Sequence, residues 1–433
     1  MTLQIMPQSG EDLFAGPRTI STTVRDKTLL IYAPVPLFHD GQSMLIEEQA
    51  SNGIRLWADN FDRLIVMMPL ATSRPRGSWI PVEQAGFPHD RVRIEALPSA
   101  YRPDVFLRAL PRSIRKIRFL IREADYLSFA IGGLFGDWGA VSAIMAHRLG
   151  RPFAVWTDRV ESEVVRSTAD RGPFKSRVRA RLTHRPMAWL ERFIIQRAAL
   201  GLFHGRETFD AYAPFCSNSH IVHDIHLKKS DHLEERAIAD KMAACRQGPL
   251  KLGYAGRADA MKGPLDWVAA LEGLARQGID FRAVWLGDGD LYRSLVDRIK
   301  LLGLGDRVTA PGYVSDRGLV LQMMRDAHAL LFCHITPESP RCLIEALISG
   351  CPLVGYSSSF ALDLTACHGG RLLSPVGDTS ALVANLSLLA RDRGMLARLI
   401  GCAAFDGAPF DDASVFSHRS ELIKAHLKPS RRT

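Results

Sequence analysis

The sequence predicts an α/β protein with two doubly wound parallel sheets. Thirteen short β-rich runs recur along its 433 residues, and helical stretches such as 264–276, 291–302 and 379–392 lie between most of them. Alternating strands and helices are typical of parallel sheets that carry helices on both faces. Thirteen strands suit two such sheets better than one, and the polar segment 226–249 near the midpoint marks their junction.

The predicted strands fall on both sides of this junction. The first half has them at 28–35, 63–70, 91–98, 125–131, 152–158, 200–205 and 220–225. The second half has them at 250–256, 280–289, 307–314, 329–335, 352–357 and 369–376. We therefore predict a loose N-terminal tail (1–26), two Rossmann-like domains (27–225 and 226–405) and a C-terminal helical segment that can pack back on the first domain (406–433).

The composition excludes several classes of protein. Hydrophobic residues make up 47% and charged residues 23% of the chain, as in globular soluble proteins. No apolar run reaches the roughly 18 residues of a membrane-spanning helix, and the first 26 residues lack the pattern of a signal peptide. The seven cysteines are odd in number and include no Cys-x-x-Cys pair, which favours free thiols over disulfides or a zinc site. These features predict a cytoplasmic protein.

The net charge of +9 favours an anionic partner. Much of the positive charge lies in 107–125 and 174–185. In the first segment arginines fall between apolar residues at helical spacing, which are Leu107, Leu110, Ile114, Ile117 and Ile121. This predicts a basic amphipathic helix, within which Pro111 is expected to start a new helix. The helix either packs on the core or binds an anionic membrane surface, and without a recognised motif we expect no nucleic acid partner.

Several strand ends in the second half carry residues suited to bind an anion. Gly256 and Arg257 end the strand at 250–256, Lys262 follows shortly after, and Gly287 ends the next strand. Because ligands of doubly wound sheets bind beyond the carboxyl ends of the strands, these residues are expected to converge. Glycines allow close approach to the backbone, and an arginine with a lysine near a helix start suits a diphosphate. Taken alone, each cation is also compatible with an ordinary solvated side chain.

A further strand end contributes a helix start. Ser339 and Pro340 are good N-cap and first-turn residues, so the backbone amides of Arg341 and Cys342 are expected to point at the same anion. The preceding Glu338 is either a first-turn carboxylate facing the helix dipole or a part of the ligand site.

Glu345 stands in the apolar run 342–348. An ionised carboxylate in such surroundings is costly unless something pairs with it. One candidate partner is a ribose, whose two vicinal hydroxyls a carboxylate can bind as a bidentate acceptor. The other is a buried arginine, which would give Glu345 a structural role.

Together these segments resemble the retaining glycosyltransferases of family 4, which have the GT-B fold of two Rossmann-like domains facing each other across a cleft. The resemblance covers the second half almost continuously. It is carried by "YAGRADAMKG" (254–263), "VWLGDGDLYRSL" (284–295), "TPESPRCLIEALISGCPLV" (336–354) and "GGRLLSPVGDTSALVANL" (369–386).

The resemblance implies that Arg257 and Lys262 hold the diphosphate of a nucleotide sugar, that Glu345 binds its ribose and that Glu338 acts on the sugar. It implies sugar transfer, with retained anomeric configuration, to a saccharide or lipid-linked saccharide in bacterial exopolysaccharide or lipopolysaccharide synthesis. Such an acceptor would place the protein at the inner face of the membrane. No metal or other cofactor is expected, because the cations and helix amides neutralise the leaving diphosphate.

Two features depart from the family pattern. Six residues, 339–344, separate Glu338 from Glu345, where the family usually has seven. The first half lacks the family's Gly-Gly loop and its later histidine, and the corresponding regions read "VPLFHDGQSM" (35–44) and "VWTDRVESEV" (155–164).

From these two regions we take Gly41 as a donor-binding candidate and Asp158 as a catalytic candidate. A helix-capping role for Asp158 is the structural alternative. His220, His223 and His226 lie on a predicted strand that sends His223 to the opposite face, so a metal site is not expected there.

Other functions fit less well. A GT-B sugar-nucleotide epimerase would share the nucleotide site, and a non-catalytic nucleotide-sugar-binding protein would fit the irregular glutamate spacing. A dinucleotide-dependent oxidoreductase is disfavoured, because "GGLFGDWG" (132–139) has the wrong intervals for a Gly-x-Gly-x-x-Gly loop.

Overall fold

The computed structural model describes residues 28–73, 78–171, 174–223, 225, 227–336 and 339–429. Its strands are β1 Thr28–Tyr32, β2 Leu37–His39, β3 Met44–Glu47, β4 Arg63–Ala71, β5 Trp79–Pro81, β6 Val92–Pro98, β7 Tyr126–Ala130, β8 Ala154–Thr157, β9 Leu200–His204, β10 Ser219–Val222, β11 Leu250–Ala255, β12 Phe281–Leu286, β13 Val308–Gly312, β14 Ala329–Phe332, β15 Leu353–Tyr356 and β16 Arg371–Ser374. Its helices are α1 Glu48–Ala58, α2 Pro103–Glu123, α3 Trp138–Arg148, α4 Glu161–Arg171, α5 Phe174–Ile195, α6 Gly205–Tyr212, α7 Glu235–Ala244, α8 Pro264–Arg276, α9 Tyr292–Leu301, α10 Arg317–Asp326, α11 Arg341–Ile348, α12 Ser359–Leu364, α13 Thr379–Arg391, α14 Arg393–Gly407 and α15 Asp412–His426. Within these residues, no helix has the length and apolar character needed to cross a membrane.

The first sheet is built around a parallel core. Its order runs β10-β9-β8-β7-β1-β4, and β6 continues it in parallel beside β4. Along the chain, the strands begin at the centre with β1 and continue through β4 to β6 on one side. They then return to the centre with β7 and continue through β8 and β9 to β10 at the other edge, as in a doubly wound sheet. Past the end of β4, the β2–β3 hairpin and β5 add an antiparallel edge.

The second sheet is parallel throughout. Its order is β13-β12-β11-β14-β15-β16. The first strand of this half, β11, therefore lies at the centre beside β14, which is the switch point where doubly wound sheets bind ligands. The carboxyl ends of β11, β12, β13 and β14 meet at one edge of the sheet.

The predicted pair of doubly wound sheets is confirmed. All thirteen predicted strands are present, most of them with shorter ends. The prediction missed β2, β3 and β5, which have three or four residues each. These three segments form the antiparallel edge of the first sheet by pairing with neighbours, and local sequence does not reveal that pairing.

Three clusters of buried apolar side chains hold the layers together. One joins the second sheet to the helices around it, including α8, α11, α13 and α14. The first sheet has a cluster on each face, with α2, α3 and α5 on one side and α1 and α15 on the other. Because α15 contacts α1, β7 and β9, the last helix of the described chain lies against the first sheet.

Helix α2 continues through its internal proline. The expectation that Pro111 starts a new helix is therefore wrong. Packing on both sides of the proline explains the difference, because Phe106 contacts Trp138 with ring centroids 5.2 Å apart and Ile117 is fully buried. Pro111 itself is exposed, so water can solvate the carbonyl that the missing N–H leaves without a partner.

One buried carboxylate organises the loop between β7 and α3. Asp137 accepts hydrogen bonds from the N–H groups of Gly132 and Gly133 at 2.9 Å each, and from that of Ala140 at 3.0 Å. Burial raises the pKa of Asp137, and the backbone N–H groups oppose that change. The glycine-rich segment 132–139 is thus a turn whose backbone N–H groups bind the carboxylate of Asp137.

Replacing Asp137 by alanine is expected to lower the free energy of unfolding by about 2 to 4 kcal/mol, because it removes an N-cap and leaves two loop amides without their acceptor. Asp378 is a matched control, since it caps the exposed start of α13 through Ala381 at 2.9 Å. Asp378→Ala should cost only about 1 kcal/mol. Equilibrium urea denaturation measures both changes. Equal losses for the two variants would show that the loop does not depend on Asp137.

Candidate functional site

Strand-end glycines bring the backbones of β11, β12 and β13 into contact. The N–H of Gly256 donates to the carbonyl of Leu286 at 2.9 Å, and the N–H of Gly287 donates to that of Gly312 at 2.8 Å. Gly287 has a φ of 140°, and a Cβ there would lie 2.1 Å from the carbonyl oxygen of Gly256. The structure therefore places the two predicted glycines, Gly256 and Gly287, side by side at the carboxyl edge of the sheet.

The loop after β11 folds back against the end of β14. Gly263 has a φ of 59°, and a Cβ there would lie 2.2 Å from the carbonyl oxygen of Cys333. The N–H of Ile335 donates to the carbonyl of Met261 at 2.9 Å. Lys262, held between these contacts, is only 9% exposed. It is therefore not the solvated lysine that the sequence alone allowed.

His334 and Tyr254 form a buried pair near Lys262. His334 Nε2 and the Tyr254 hydroxyl lie 2.8 Å apart, and both residues are buried. Burial lowers the pKa of the His334 imidazole well below its ordinary range, and the Lys262 ammonium lowers it further. The imidazole is therefore neutral near pH 7, and the lysine supplies the positive charge at this point.

Arg257 lies at the open side of the same edge. Its Nη1 is 3.2 Å from Asp259 Oδ2, and its side chain is 72% exposed. Asp259 Oδ1 also accepts a hydrogen bond from the N–H of Asp290 at 3.4 Å, so it links the loops after β11 and β12. An exposed ion pair of this kind contributes little to stability, which leaves the guanidinium able to turn toward an anion.

The start of α11 differs from the prediction. Pro340 takes the N-cap position and the helix begins at Arg341, so the expectation that Ser339 caps the helix is wrong. A proline ring has no hydrogen-bond acceptor, so the residue at the N-cap position does not cap this end with its side chain. Ser339 instead faces the first half of the chain, because a Cβ on Gly205 would lie 2.8 Å from its Oγ. Its predicted part in donor binding stays a prediction.

Glu345 has an arginine beside it. Its Oε1 lies 3.6 Å from Arg317 Nη1, and the two side chains are 17% and 46% exposed. Burial raises the pKa of Glu345, whereas Arg317 and then Arg341 lower it. This arginine is half-exposed, unlike the buried partner that a purely structural role would require, so the ribose assignment stays a prediction.

A pocket that is open to solvent lies in the first half of the chain, and one of its lining residues comes from the second sheet's domain. Its walls include Glu47, Trp57, Trp156 and Asp158 from the first half and Arg341 from α11. The structure thus brings together Asp158 and Arg341, which the sequence nominated from separate domains.

Arg419 of α15 fixes one wall of this pocket. It is 3% exposed, and its guanidinium carbon lies 5.2 Å from the Trp57 ring, 5.1 Å from the Trp156 ring and 5.4 Å from the Phe416 ring. Cation–π contacts with three rings hold the aromatic side chains in place.

Other predicted site residues do not reach this pocket or lie outside the described residues. Gly41 has a φ of 101° and is exposed at the tip of the β2–β3 hairpin. It does not line the pocket, and its part in donor binding stays a prediction. Glu338 lies outside the described residues, as does His226. The described part of the chain holds no group of three or more His, Cys, Asp or Glu side chains suited to a metal ion.

Sequence reasoning missed Arg317, His334 and the group around Arg419. Arg317 follows Asp316, which caps α10 by accepting a hydrogen bond from the N–H of Gly318 at 2.7 Å. A cation directly after a capping aspartate at a strand end was the available signal for Arg317. His334 and Arg419 gave none, because each gains its significance only from residues distant in sequence.

The chain is similar to known glycosyltransferases. Residues 238–403 match the family described as glycosyl transferases group 1. The 2-deoxystreptamine N-acetyl-D-glucosaminyltransferase of Streptomyces fradiae is 26% identical over 211 residues, which are 47% of this chain and 49% of that relative. The match thus spans about half the length of the curated relative.

Solved structures of similar fold cover nearly the whole chain. HepE from Anabaena, in complex with UDP, has a TM-score of 0.64 at 15% identity, over 93% of this chain and 100% of that one. A glycosyltransferase from Rickettsia africae has a TM-score of 0.61 at 12% identity, over 94% and 100%. At this identity the likeness concerns the fold alone, and it confirms the predicted GT-B class.

Gly287→Ala is expected to lower the free energy of unfolding by about 2 to 5 kcal/mol, since the added methyl group meets the Gly256 carbonyl and φ is unfavourable for alanine. Gly303→Ala is the matched control. Gly303 also has a positive φ, of 64°, but has open space around it, so only a conformational cost of about 1 kcal/mol is expected. Urea denaturation measures both. A loss no larger than that of the control would contradict the close contact of β11 and β12.

Proposed function

We propose that this chain, whose residues 238–403 match the family described as glycosyl transferases group 1, transfers a sugar from a nucleotide diphosphate sugar to a saccharide or lipid-linked saccharide. One observation carries the proposal. Lys262, Arg257 and the start of α11 lie at one carboxyl edge of the second sheet, next to a pocket that includes Asp158 from the first half. A cationic edge suits a diphosphate, and a pocket beside the start of α11 suits an acceptor.

The diphosphate is the group that these cations fit best. The largely buried Lys262 supplies a fixed charge, and the exposed Arg257 supplies a guanidinium that can close over the ligand. Negative charge develops on the diphosphate as the sugar leaves, so both cations stabilise the transition state more than the ground state. This is why we propose a reaction that needs no metal ion.

Three carboxylates are assigned to the ribose and the transferred sugar. Glu345 would bind the ribose, and Glu338 with Asp158 would act at the transferred sugar, as in retaining enzymes of family 4. Transfer with retention and a role in bacterial polysaccharide synthesis are parts of this proposal. HepE, which has a similar fold, was crystallised with UDP-glucose, and this favours UDP sugars as the first donors to test.

The pocket has the lining expected for a saccharide acceptor. The partly exposed Trp156 offers aromatic surface to the apolar face of a sugar ring, while Glu47 and Asp158 offer acceptors to its hydroxyl groups. Arg341 enters the pocket from the donor side, so a sugar bound there lies next to the proposed diphosphate site.

A lipid-linked acceptor would require the protein to work at a membrane surface, and α2 has a face suited to one. Arg112, Arg115, Phe119 and Arg122 follow one another at spacings of three and four residues and are exposed. Phe119 is 65% exposed. A basic helix face that carries an exposed aromatic ring is typical of binding to anionic lipid.

Helix α5 presents a similar face on the same side of the first sheet. Leu182 and Trp189 are 70% and 65% exposed, and Arg181 and Arg185 beside them are exposed as well. Both helices pack on the same apolar cluster. We therefore propose a cytoplasmic enzyme that associates peripherally with the inner face of the cell membrane.

Removing either donor-site cation should weaken binding of the nucleoside diphosphate by about 10-fold to 150-fold, the range for hydrogen bonds to charged groups. Arg257→Ala and Lys262→Met are the test variants, because methionine keeps the packing of the buried stem. Arg276→Ala is the control, since Arg276 is 78% exposed at the far end of α8. Calorimetric titration with UDP, GDP, ADP and dTDP selects the ligand and measures affinity. Parental affinity in both test variants would contradict the site.

Transfer itself is tested by mass spectrometry and proton NMR of the products formed from the selected nucleotide sugar and a saccharide acceptor. We expect a glycosylated acceptor with the anomeric configuration of the donor. An epimerised nucleotide sugar would identify an epimerase instead. Tight binding without any product would identify a non-catalytic protein.

Binding to vesicles that contain anionic lipid should weaken about fivefold for each arginine removed from α2. Arg112→Gln and Arg115→Gln test this, and Leu182→Ser with Trp189→Ser tests the apolar contribution of α5. Arg246→Gln and Leu301→Ser are matched controls, because these two residues are exposed in the second half. Sedimentation at low and high salt measures binding. Binding that is unchanged in the α2 and α5 variants would leave both helices as ordinary core packing.

A further inference from the structure

Three charged groups from three separate elements meet beside the proposed ribose site. Arg317 is the first residue of α10, Glu345 lies in α11, and Asp231 ends the short 3-10 turn Lys229–Asp231 between the two domains. Arg317 Nη1 lies 3.6 Å from Glu345 Oε1, and its Nη2 lies 3.5 Å from Asp231 Oδ2. One guanidinium therefore lies between two carboxylates.

The elements on both sides of Arg317 are fixed by other contacts. Asp316 caps α10 by accepting from the N–H of Gly318 at 2.7 Å, which sets the position of the Arg317 backbone. The carboxylate of Asp231 accepts from the N–H of Lys228 at 2.8 Å. Arg317 thus has little freedom in its backbone, whereas its charged end is 46% exposed and can adjust.

Glu345 depends more on its charged neighbours than Arg317 does. Glu345 is 17% exposed, and burial raises the pKa of this carboxyl group. Arg317 is the strongest of the groups that lower it, followed by Arg341, whereas Asp231 raises it. Arg317 has water on one side and does not depend on Glu345 for solvation.

We infer that Arg317 is a positioning residue for donor binding, which keeps Glu345 ionised and turned toward the ribose of the nucleotide. The inference rests on the proposed function, in which Glu345 binds the two ribose hydroxyls. An ionised carboxylate offers two acceptor oxygens to those hydroxyls, whereas the protonated acid has lost part of that capacity. Arg317 therefore contributes to affinity without touching the ligand.

The sign of the pH dependence follows from this arrangement. Glu345 binds ribose in its ionised form, so affinity should fall as the pH drops through its raised pKa. Without Arg317, the remaining neighbour Asp231 raises that pKa further, and Arg341 opposes it alone. The loss of affinity should then begin at a higher pH than in the parent protein.

The test is a set of calorimetric titrations between pH 5.5 and pH 8.5 with the nucleoside diphosphate selected above. We expect Arg317→Gln to bind at least tenfold more weakly at the low end of this range and closer to the parent at the high end. Arg317→Lys should restore much of the affinity. Glu345→Gln should bind weakly at every pH, and adding Arg317→Gln to it should change nothing more. The 2′,3′-dideoxy diphosphate, which lacks both hydroxyls, should bind equally to the parent and to Arg317→Gln.

Arg325→Gln is the matched control for the contact with the interdomain turn. Arg325 Nη2 donates to the carbonyl of Asp231 at 3.0 Å, so this variant disturbs α10 without removing the neighbour of Glu345. It should keep the parent's pH profile.

The inference fails if Arg317→Gln has the parent's affinity and pH profile, even when Glu345→Gln loses binding and the ribose assignment stands. It also fails if Arg317→Gln weakens binding of the dideoxy diphosphate as much as binding of the diphosphate that has both hydroxyls, because Arg317 then acts on the diphosphate or on the fold. If Glu345→Gln keeps the parent's affinity, the ribose assignment is wrong and the inference falls with it.

Discussion

The close approach of two backbone segments at the ends of β11 and β12 constrains most of the second half. A Cβ at Gly287 would lie 2.1 Å from the carbonyl oxygen of Gly256, and the N–H of Gly287 is bonded to Gly312 on the next strand. Three neighbouring strands thus end at one level. The N–H of Ala258 donates to the carbonyl of Asp288 at 2.8 Å, so the loop that carries both cations is locked to the loop after β12. Backbone contacts of this kind hold the site before any ligand arrives, which lowers the entropy that binding has to offset.

The same edge is also where the two halves of the chain touch. Gly205 at the start of α6 lies against Ser339, where a side chain would not fit, and His223 Nε2 lies 3.2 Å from Asp363 Oδ2 of α12. Ser339 precedes α11 by two residues, so the helix that carries Glu345 and Arg341 begins next to an interdomain contact. A change in the relative position of the halves would therefore alter the surroundings of this helix start.

The local sequence pattern was sufficient to predict the two sheets, but it was insufficient to predict how the charged residues around them interact. The alternation of strands and helices predicted thirteen of the strands, because burial on both faces imposes continuous apolar runs. The prediction that Pro111 starts a new helix was wrong because α2 tolerates this proline through the packing of Phe106 and Ile117. Local sequence does not reveal that packing. Arg257 and Lys262 were nominated as donor-binding residues because they follow strand ends. Arg317 was not nominated, because its role depends on Glu345 and Asp231. Asp231 is 86 positions away in sequence (317 − 231).

The surroundings of Glu345 bear on why a carboxylate is kept in an apolar helix. A structural ion pair is maintained when removing one member leaves the other buried without compensation, and such a loss is strongly destabilising. Arg317 is 46% exposed, so water would solvate it if Glu345 were absent, and the fold gains little from the pair. Arg317 nevertheless opposes the effect of burial on the pKa of Glu345. The fold gains little from this carboxylate, and an arginine from another helix lies beside it at the carboxyl edge of a sheet, which favours the proposed ligand-binding role of Glu345 over a structural one.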